Sequence, residues 1–249
     1  MSNNSNYPDK VIVRPTSKLS FRIARATIAA LLKMLVRLEI KGKGNLPSNG
    51  PVIAVCNHLN NLDPILHIVN IYPRDCIFMA KEELFKYWPM PIAPILMHIA
   101  EAFPVRRRGT VKERQEATKK AEEVLIEGII LGIYPEGTRS RDCQLGAAHP
   151  GTVIIAMNTG AHLIPVGIWG TEKLKGFGWL SRPRVTINFG EPFKLPVLPV
   201  AEKEMTRAQV MSLTTSVMER LAAVLPQEYR GKYGGQLSHS TEAIYASKN

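Results

Sequence analysis

Cysteine is scarce in this chain: Cys56, Cys76 and Cys143 are its three cysteines among 249 residues. They are odd in number and form no CxxC pair, so neither a disulfide framework nor a zinc site is indicated. Phe, Trp and Tyr make up 7% of the residues, leaving few rings for stacking on bases. With no helix-turn-helix pattern and no zinc-finger spacing either, nucleic acid is set aside as a partner. The opening MSNNSNYPDK lacks a basic stretch leading into an apolar core, so no secretory signal is read. Long apolar runs are also missing. The longest stretch without Asp, Glu, Lys or Arg, Cys143 to Thr171, is interrupted by Gly146, Pro150, Gly151, Asn158, Gly160, Pro165 and Gly167, and reads as turns and strands. Tyr87 to Ala100 is apolar but short, and contains Pro89, Pro91 and Pro94. Neither fits a spanning helix. No G-x-S-x-G elbow is present to supply a nucleophilic serine.

What the chain does have is positive charge. Lys and Arg number 32 against 21 Asp and Glu, a formal balance of +11 that favours an anionic partner such as a bilayer surface or phosphorylated substrates. Residues 17 to 40 are periodic at 3.6 residues per turn, which brings Lys18, Arg22, Arg25, Lys33 and Arg37 onto one narrow face against Leu, Ile, Ala, Met and Val. A basic stripe beside a broad apolar face suits a helix lying in an anionic membrane interface; a helix packed on its own domain is the alternative.

From Gly50 onward the pattern alternates strand, turn and helix. Pro51 to Cys56 is an apolar run closed by Asn57-His58, and Asp63-Pro64 has the form of an N-cap and first-turn proline opening a helix toward Ile71. Cys76 to Ala80 is a second strand. Thr110 and Glu113 form a capping box for a helix through Glu127, stopped at Gly128, and Ile129 to Tyr134 is the next strand. His162 to Trp169 and Arg184 to Phe189 supply two more. Thr206 and Gln209 cap a last helix with Val210, Leu213, Val217, Leu221 and Val224 on one face, ended by Pro226. The expectation is an α/β fold: one domain with a mostly parallel central sheet flanked by helices, behind an amphipathic N-terminal helix. The divisions are 1–40 for the N-terminal segment, 41–226 for the domain and 227–249 for a loosely held tail.

Three stretches carry chemistry. In Asn57-His58-Leu59-Asn60-Asn61-Leu62-Asp63-Pro64 a histidine leaves a buried strand and a carboxylate follows five residues on. Imidazole suits proton abstraction from an alcohol at neutral pH, and a carboxylate beside it fixes the tautomer and stabilises the imidazolium. Helix capping alone also explains Asp63. In Tyr134-Pro135-Glu136-Gly137-Thr138-Arg139-Ser140-Arg141, Gly137 permits close backbone approach and Arg139 offers a planar fork of donors for a phosphate monoester, with Thr138 beside it. A solvated surface loop is the alternative. Phe103-Pro104-Val105-Arg106-Arg107-Arg108-Gly109 places three guanidinium groups at a strand end, where open α/β sheets bind ligands.

NHLNNLDP, AFPVRRR, YPEGTRS and LIPVGI stand in the order of the four motif blocks of the glycerolipid acyltransferases, and the chain resembles the bacterial 1-acylglycerol-3-phosphate acyltransferases of that family over about residues 35 to 200. The combination of NH-x4-D with PEGTRS is specific. The resemblance implies that His58 is a general base with Asp63 its partner. It implies too that Glu136, Gly137, Thr138 and Arg139 form the acceptor-binding loop. Arg107 is similar to the arginine of the second block, and Lys81 to a family lysine that adds charge to the phosphate site. Ile164-Pro165-Val166 matches the fourth block, whose strand is expected to line the acyl donor's pocket. The chain departs from the family's usual residues in having Asn60 for Ser, Tyr134 for Phe and His149 for Lys.

The implied reaction is direct acyl transfer from a thioester, acyl-CoA or acyl carrier protein, to the hydroxyl of a lysophospholipid at the cytoplasmic face of a membrane. The protein would be held there as a monotopic or peripheral protein, with no metal or cofactor. No enzyme nucleophile is needed, and Cys56 lies in an expected buried strand. Rival readings are the same chemistry on glycerol-3-phosphate or another lysolipid, a thioesterase in which His58 activates water, and a basic lipid-binding protein without chemistry. His67, His98, His162 and His239 are isolated and take structural or solvated roles by default.

Overall fold

Apolar runs flanked by Gly, Pro and Asn become strands here, and the two capping boxes open helices. The computed structural model describes residues 19–81, 103–105, 110–196 and 205–235. The elements are α1 (Leu19–Leu35), β1 (Arg37–Lys41), β2 (Val52–Cys56), α2 (Asp63–Ile71), β3 (Cys76–Lys81) and β4 (Phe103–Val105), followed by α3 (Val111–Ile126) and β5 (Ile130–Ile133). After them come α4 (Gly151–Thr159), β6 (His162–Trp169), β7 (Arg184–Phe189) and α5 (Arg207–Ala223). The strands form one sheet in the order β1-β7-β6-β2-β5-β3-β4. Every pairing is parallel except β6 with β7.

Each face of the sheet buries its own core, because successive side chains of a strand point to opposite sides. Ile53 and Val55 of β2 join Leu131, Leu163 and residues of α3, α4 and α5 on one face. Val52, Ala54 and Cys56 join Phe78, Ile164, Val166 and residues of α1 and α2 on the other. β2 is buried at all five positions, as a strand covered on both faces must be.

Both capping boxes are present. The Thr110 hydroxyl accepts from the Glu113 N–H while the Glu113 carboxylate accepts from the Thr110 N–H, and Thr206 and Gln209 repeat the arrangement. Four expectations change. The periodic segment 17–40 is a helix only to Leu35; Arg37–Lys41 instead pairs with β7, from Arg37↔Arg184 to Lys41↔Asn188. Gly151–Thr159, read as part of a turn-and-strand stretch, is a helix whose Thr152, Val153, Ile155 and Ala156 are buried. Asp63 is the first residue of α2 rather than its N-cap, which is Leu62. Residues 227–235, expected to begin the tail, hold two 3-10 turns that pack on the domain: Tyr229 is buried, its hydroxyl donates to Glu172 Oε1 at 2.9 Å, and its carbonyl accepts from Leu145 N–H at 2.9 Å.

Candidate active site

The sheet order decides which loops can meet. β2 and β5 are neighbours and parallel, so the segments after Cys56 and after Ile133 leave the same sheet edge side by side. That carboxyl edge is where ligands bind in open α/β sheets. One segment carries His58 and the other Glu136 to Arg139. The Ser140 N–H donates to the His58 carbonyl at 2.8 Å and ties the two together.

His58 and Asp63 are in contact, with His58 Nδ1 2.9 Å from Asp63 Oδ2. The His58 side chain is 16% exposed and that of Asp63 0%. Asp63 holds the turn before the helix instead of capping the helix. The same Oδ2 accepts from the Leu59 N–H at 2.6 Å and the Asn60 N–H at 2.7 Å, so one carboxylate oxygen gathers the whole turn around the histidine. Asn60 Oδ1 accepts from the Leu62 N–H at 3.1 Å, and Asn60 Nδ2 donates to the Thr171 carbonyl at 2.9 Å. Before the turn, Asn57 bridges to the next strand: its Nδ2 donates to the Ile168 carbonyl at 2.8 Å and its Oδ1 accepts from the Ile168 N–H at 2.7 Å. The contact suits a tautomer with the proton on Nδ1, facing a carboxylate that can only accept when ionised, and Nε2 free to take a proton.

Beneath the imidazole lies an aromatic stack. The Tyr134 ring is 4.2 Å from that of His58 at an interplanar angle of 18°, and Phe78 is 5.1 Å beyond Tyr134. Gly132 of β5 makes room for Phe78, since a Cβ there would overlap that ring. His67, one helical turn past Asp63, is fully buried 5.8 Å from Phe78. Its two ring nitrogens, the Tyr134 hydroxyl and Asp63 Oδ1 have no hydrogen-bond partner among the described residues. Burial pushes the His67 pKa down to about 4 and the Tyr134 phenol well above its ordinary value. It also pushes the Cys56 thiol up, which suits packing and not attack.

The second loop is fixed at its ends and open in its middle. Gly137 has φ 63 and closes a turn by donating to the Tyr134 carbonyl at 2.8 Å, a conformation that suits glycine. Glu136 faces inward, contrary to an acceptor contact: it is buried, and its Oε2 accepts from the Gly146 N–H at 2.7 Å. Burial pushes its pKa up to about 7, partly offset by that bond. Thr138 and Arg139 are exposed.

The other expected site residues fall out differently. Lys81 ends β3 and pairs in register with Val105 of β4, so the backbone at 81 reaches the same sheet edge as His58. Arg106, Arg107 and Arg108 lie outside the described residues. Ile164, Pro165 and Val166 are buried inside β6. Asn57 as a bridge and Tyr134 as a platform carry no site role in the sequence, and His67 only a structural or solvated one. Asn57 and Tyr134 each border a motif, and His67 shares a helical face with Asp63.

The acyltransferase family model matches residues 37–169, more than half of the chain. A 1-acyl-sn-glycerol-3-phosphate acyltransferase of Borreliella burgdorferi is 31% identical over 159 residues, covering 63% of this chain and 61% of that protein. One of Bacillus subtilis is 29% identical over 202 residues, covering 80% of this chain and 96% of that one. The match to a chloroplast relative of Arabidopsis thaliana spans 42% of its length. The crystal structure of the 1-acyl-sn-glycerophosphate acyltransferase PlsC of Thermotoga maritima superposes with a TM-score of 0.56 at 22% identity, over 86% of this chain and 83% of that one, and so shares its fold. By the family-model match over residues 37–169, the chain belongs to the acyltransferase family.

Proposed function

We propose that the protein transfers a fatty acyl group from a thioester to the free hydroxyl of 1-acylglycerol-3-phosphate, making phosphatidic acid, with His58 as general base. The observation that carries the chemistry is the 2.9 Å contact of His58 Nδ1 with a buried Asp63 whose same oxygen holds two backbone N–H groups. The names of the Borreliella and Bacillus relatives support the acceptor. His58 Nε2 takes the acceptor's hydroxyl proton as that oxygen attacks the thioester carbonyl carbon. When the tetrahedral intermediate collapses, the C–S bond breaks and the proton on Nε2 passes to the departing thiolate, which restores the neutral imidazole. Asp63 stabilises the transient imidazolium. The exposed Arg139 fork reads the acceptor's phosphate, with Thr138, Lys81 and Arg107 adding to that site. The donor is acyl-CoA or an acyl carrier protein thioester.

The acceptor is a lipid, and α1 is the reading's membrane contact. Ile23, Leu31 and Met34 are exposed on its outer side, while Ile28, Ala29, Leu32 and Val36 face the core. Lys18 lies outside the described residues, and among those described the cations do not form a single outward stripe. Arg25 turns inward, its guanidinium 3.3 Å from the Tyr72 ring centroid, and Arg37 belongs to β1; Arg22 and Lys33 are exposed. An outward apolar side bordered by cations fits a helix seated in an anionic interface. No helix among the described residues is long and apolar enough to cross a membrane.

The test is His58→Ala assayed with acyl thioester and 1-acylglycerol-3-phosphate. Loss of a positioned base predicts a drop in turnover on the order of a hundredfold to ten-thousandfold with the fold retained by circular dichroism. Near-normal turnover by a folded variant overturns the mechanism. Equal wild-type rates on a monoacylglycerol overturn the phosphate-reading acceptor.

A further inference from the structure

Between β6 and β7 the chain makes an excursion, residues 170–183, that ends the buried strand and holds large apolar side chains in water. Phe177 is 81% exposed, Leu180 64% and Trp179 45%. Local bonds hold the excursion in this form: Gly178 N–H donates to the Lys175 carbonyl at 3.1 Å, Leu180 N–H to Phe177 at 3.0 Å and Arg182 N–H to Trp179 at 3.1 Å. Its base is pinned as well, since Glu172 accepts from the Gly170 N–H and from the Tyr229 hydroxyl. A built turn that presents three large apolar groups outward marks a contact surface.

Charge identifies the partner. Lys173, Lys175, Arg182 and Arg184 are all exposed, and no Asp or Glu occurs between Lys173 and Phe189. Cations around a Trp-bearing apolar tip match the boundary of an anionic bilayer, where aromatic rings sit at headgroup depth.

Topology places this tip with the rest of the machinery. β7 runs antiparallel to β6, so its start lies at the carboxyl edge of β6, the edge from which His58 emerges. β1 starts in register with β7, so α1 ends at that same edge. The side chains agree: Arg182 Nη2 donates to the Lys33 carbonyl in the last turn of α1 at 2.7 Å, and Asn60 of the histidine turn donates to the Thr171 carbonyl. The excursion is thus fastened to α1 at one end and to the candidate active site at the other.

We infer that the Lys173–Arg182 excursion is a second membrane-docking element, which inserts Phe177, Trp179 and Leu180 into the headgroup boundary of an anionic bilayer and holds the His58 edge of the sheet against it. The inference deepens the proposed reading, which supplies the lipid acceptor.

The test is flotation of the full chain with phosphatidylcholine vesicles containing phosphatidylglycerol. The exposed pair Phe177→Ser/Leu180→Ser is expected to bind at least about tenfold more weakly, a small part of what burying two such side chains is worth. Lys173→Gln/Lys175→Gln should weaken binding to these vesicles and leave binding to pure phosphatidylcholine unchanged. On vesicle addition, Trp179 emission should move to the blue, read as the difference between wild type and Trp179→Phe. Unchanged binding by the Ser pair, or an unshifted Trp179, overturns the inference. So does a wild-type dimer in size-exclusion chromatography that the Ser pair converts to monomer, because a second copy would then cover the tip. His58→Ala should bind vesicles like wild type, so failure of the transfer mechanism and failure of the docking element register in different assays.

Discussion

The two loops at the carboxyl edge of the sheet are built on opposite principles. The turn from Asn57 to Asp63 is tied down by its polar groups: Asp63 is 0% exposed and one of its oxygens meets three donors, while Asn57 anchors to Ile168 of β6 and Asn60 to Thr171 just beyond it. The loop from Tyr134 to Arg141 is fastened through Pro135, Glu136, Gly137 and Ser140, and leaves Thr138 and Arg139 in solvent. The difference teaches which part must be preorganised. On the proposed reading, a base has to stand at one angle to a hydroxyl for proton transfer to be fast, which a tied-down turn provides. A guanidinium that captures a lipid phosphate has to be reachable by its ligand, which the exposed Arg139 is.

The strongest way to break this contrast is at the rigid turn. Asp63→Asn keeps the volume and can still accept from the Leu59 and Asn60 N–H groups with its amide oxygen. It removes the charge that stabilises the imidazolium, and the amide N–H cannot take the place of Oδ2 at Nδ1 without meeting the Leu59 and Asn60 N–H groups. Turnover is therefore expected to fall on the order of a hundredfold or more, with the Michaelis constants for both substrates moving little. Turnover within a few-fold of wild type would mean that the turn serves folding alone.

The open loop should respond differently and less severely. Arg139→Ala is expected to act on the phosphorylated acceptor, raising its Michaelis constant or lowering its turnover by about tenfold or more, while the Michaelis constant for the thioester stays put. Arg139→Lys keeps the charge and loses the fork, so it should lie between Ala and wild type. The preference for 1-acylglycerol-3-phosphate over monoacylglycerol should shrink in step. Equal effects on donor and acceptor would remove the loop from phosphate recognition.

How far the sequence foretold this depends on whether the deciding contact is local. The capping boxes at Thr110 and Thr206 and the strands His162–Trp169 and Arg184–Phe189 were legible, because their signals lie within a few residues of the elements they define. β1 was not: RLEIK continues the helical period of α1, and only pairing with Arg184–Asn188, far along the chain, makes it a strand. α4 was missed because it is apolar or β-branched on most sides and starts at Pro150-Gly151, a turn signal that here opens a helix. In the candidate site, the chain brings His58 and Asp63 together as their spacing implied. The inward turn of Glu136 could not be read, since it depends on the Gly146 N–H ten residues away.

The smallest effect concerns two buried groups, one behind each loop, and it separates them by pH. Glu136 has its pKa raised from 4.5 to about 7, so between those values the folded protein keeps a proton that the unfolded chain has released, and stability falls as pH rises. His67 has its pKa lowered from 6.5 to about 4, so in that window the unfolded chain takes up a proton that the folded protein refuses, and stability falls as pH falls. The two slopes oppose each other between about pH 4.5 and 6.5, and wild type should change little there on their account. Glu136→Gln keeps an acceptor for Gly146 and removes one slope: its stability relative to wild type should climb from pH 4.5 to 7 and then level. His67→Gln should gain relative to wild type as pH falls from 6.5 to 4. Urea unfolding midpoints across pH 4 to 8 read both differences directly, independent of any offset each substitution adds at a single pH. A Glu136→Gln difference that stays flat through this range would show that its carboxyl is solvated in the folded state, and the loop would then be open from Glu136 onward instead of from Thr138.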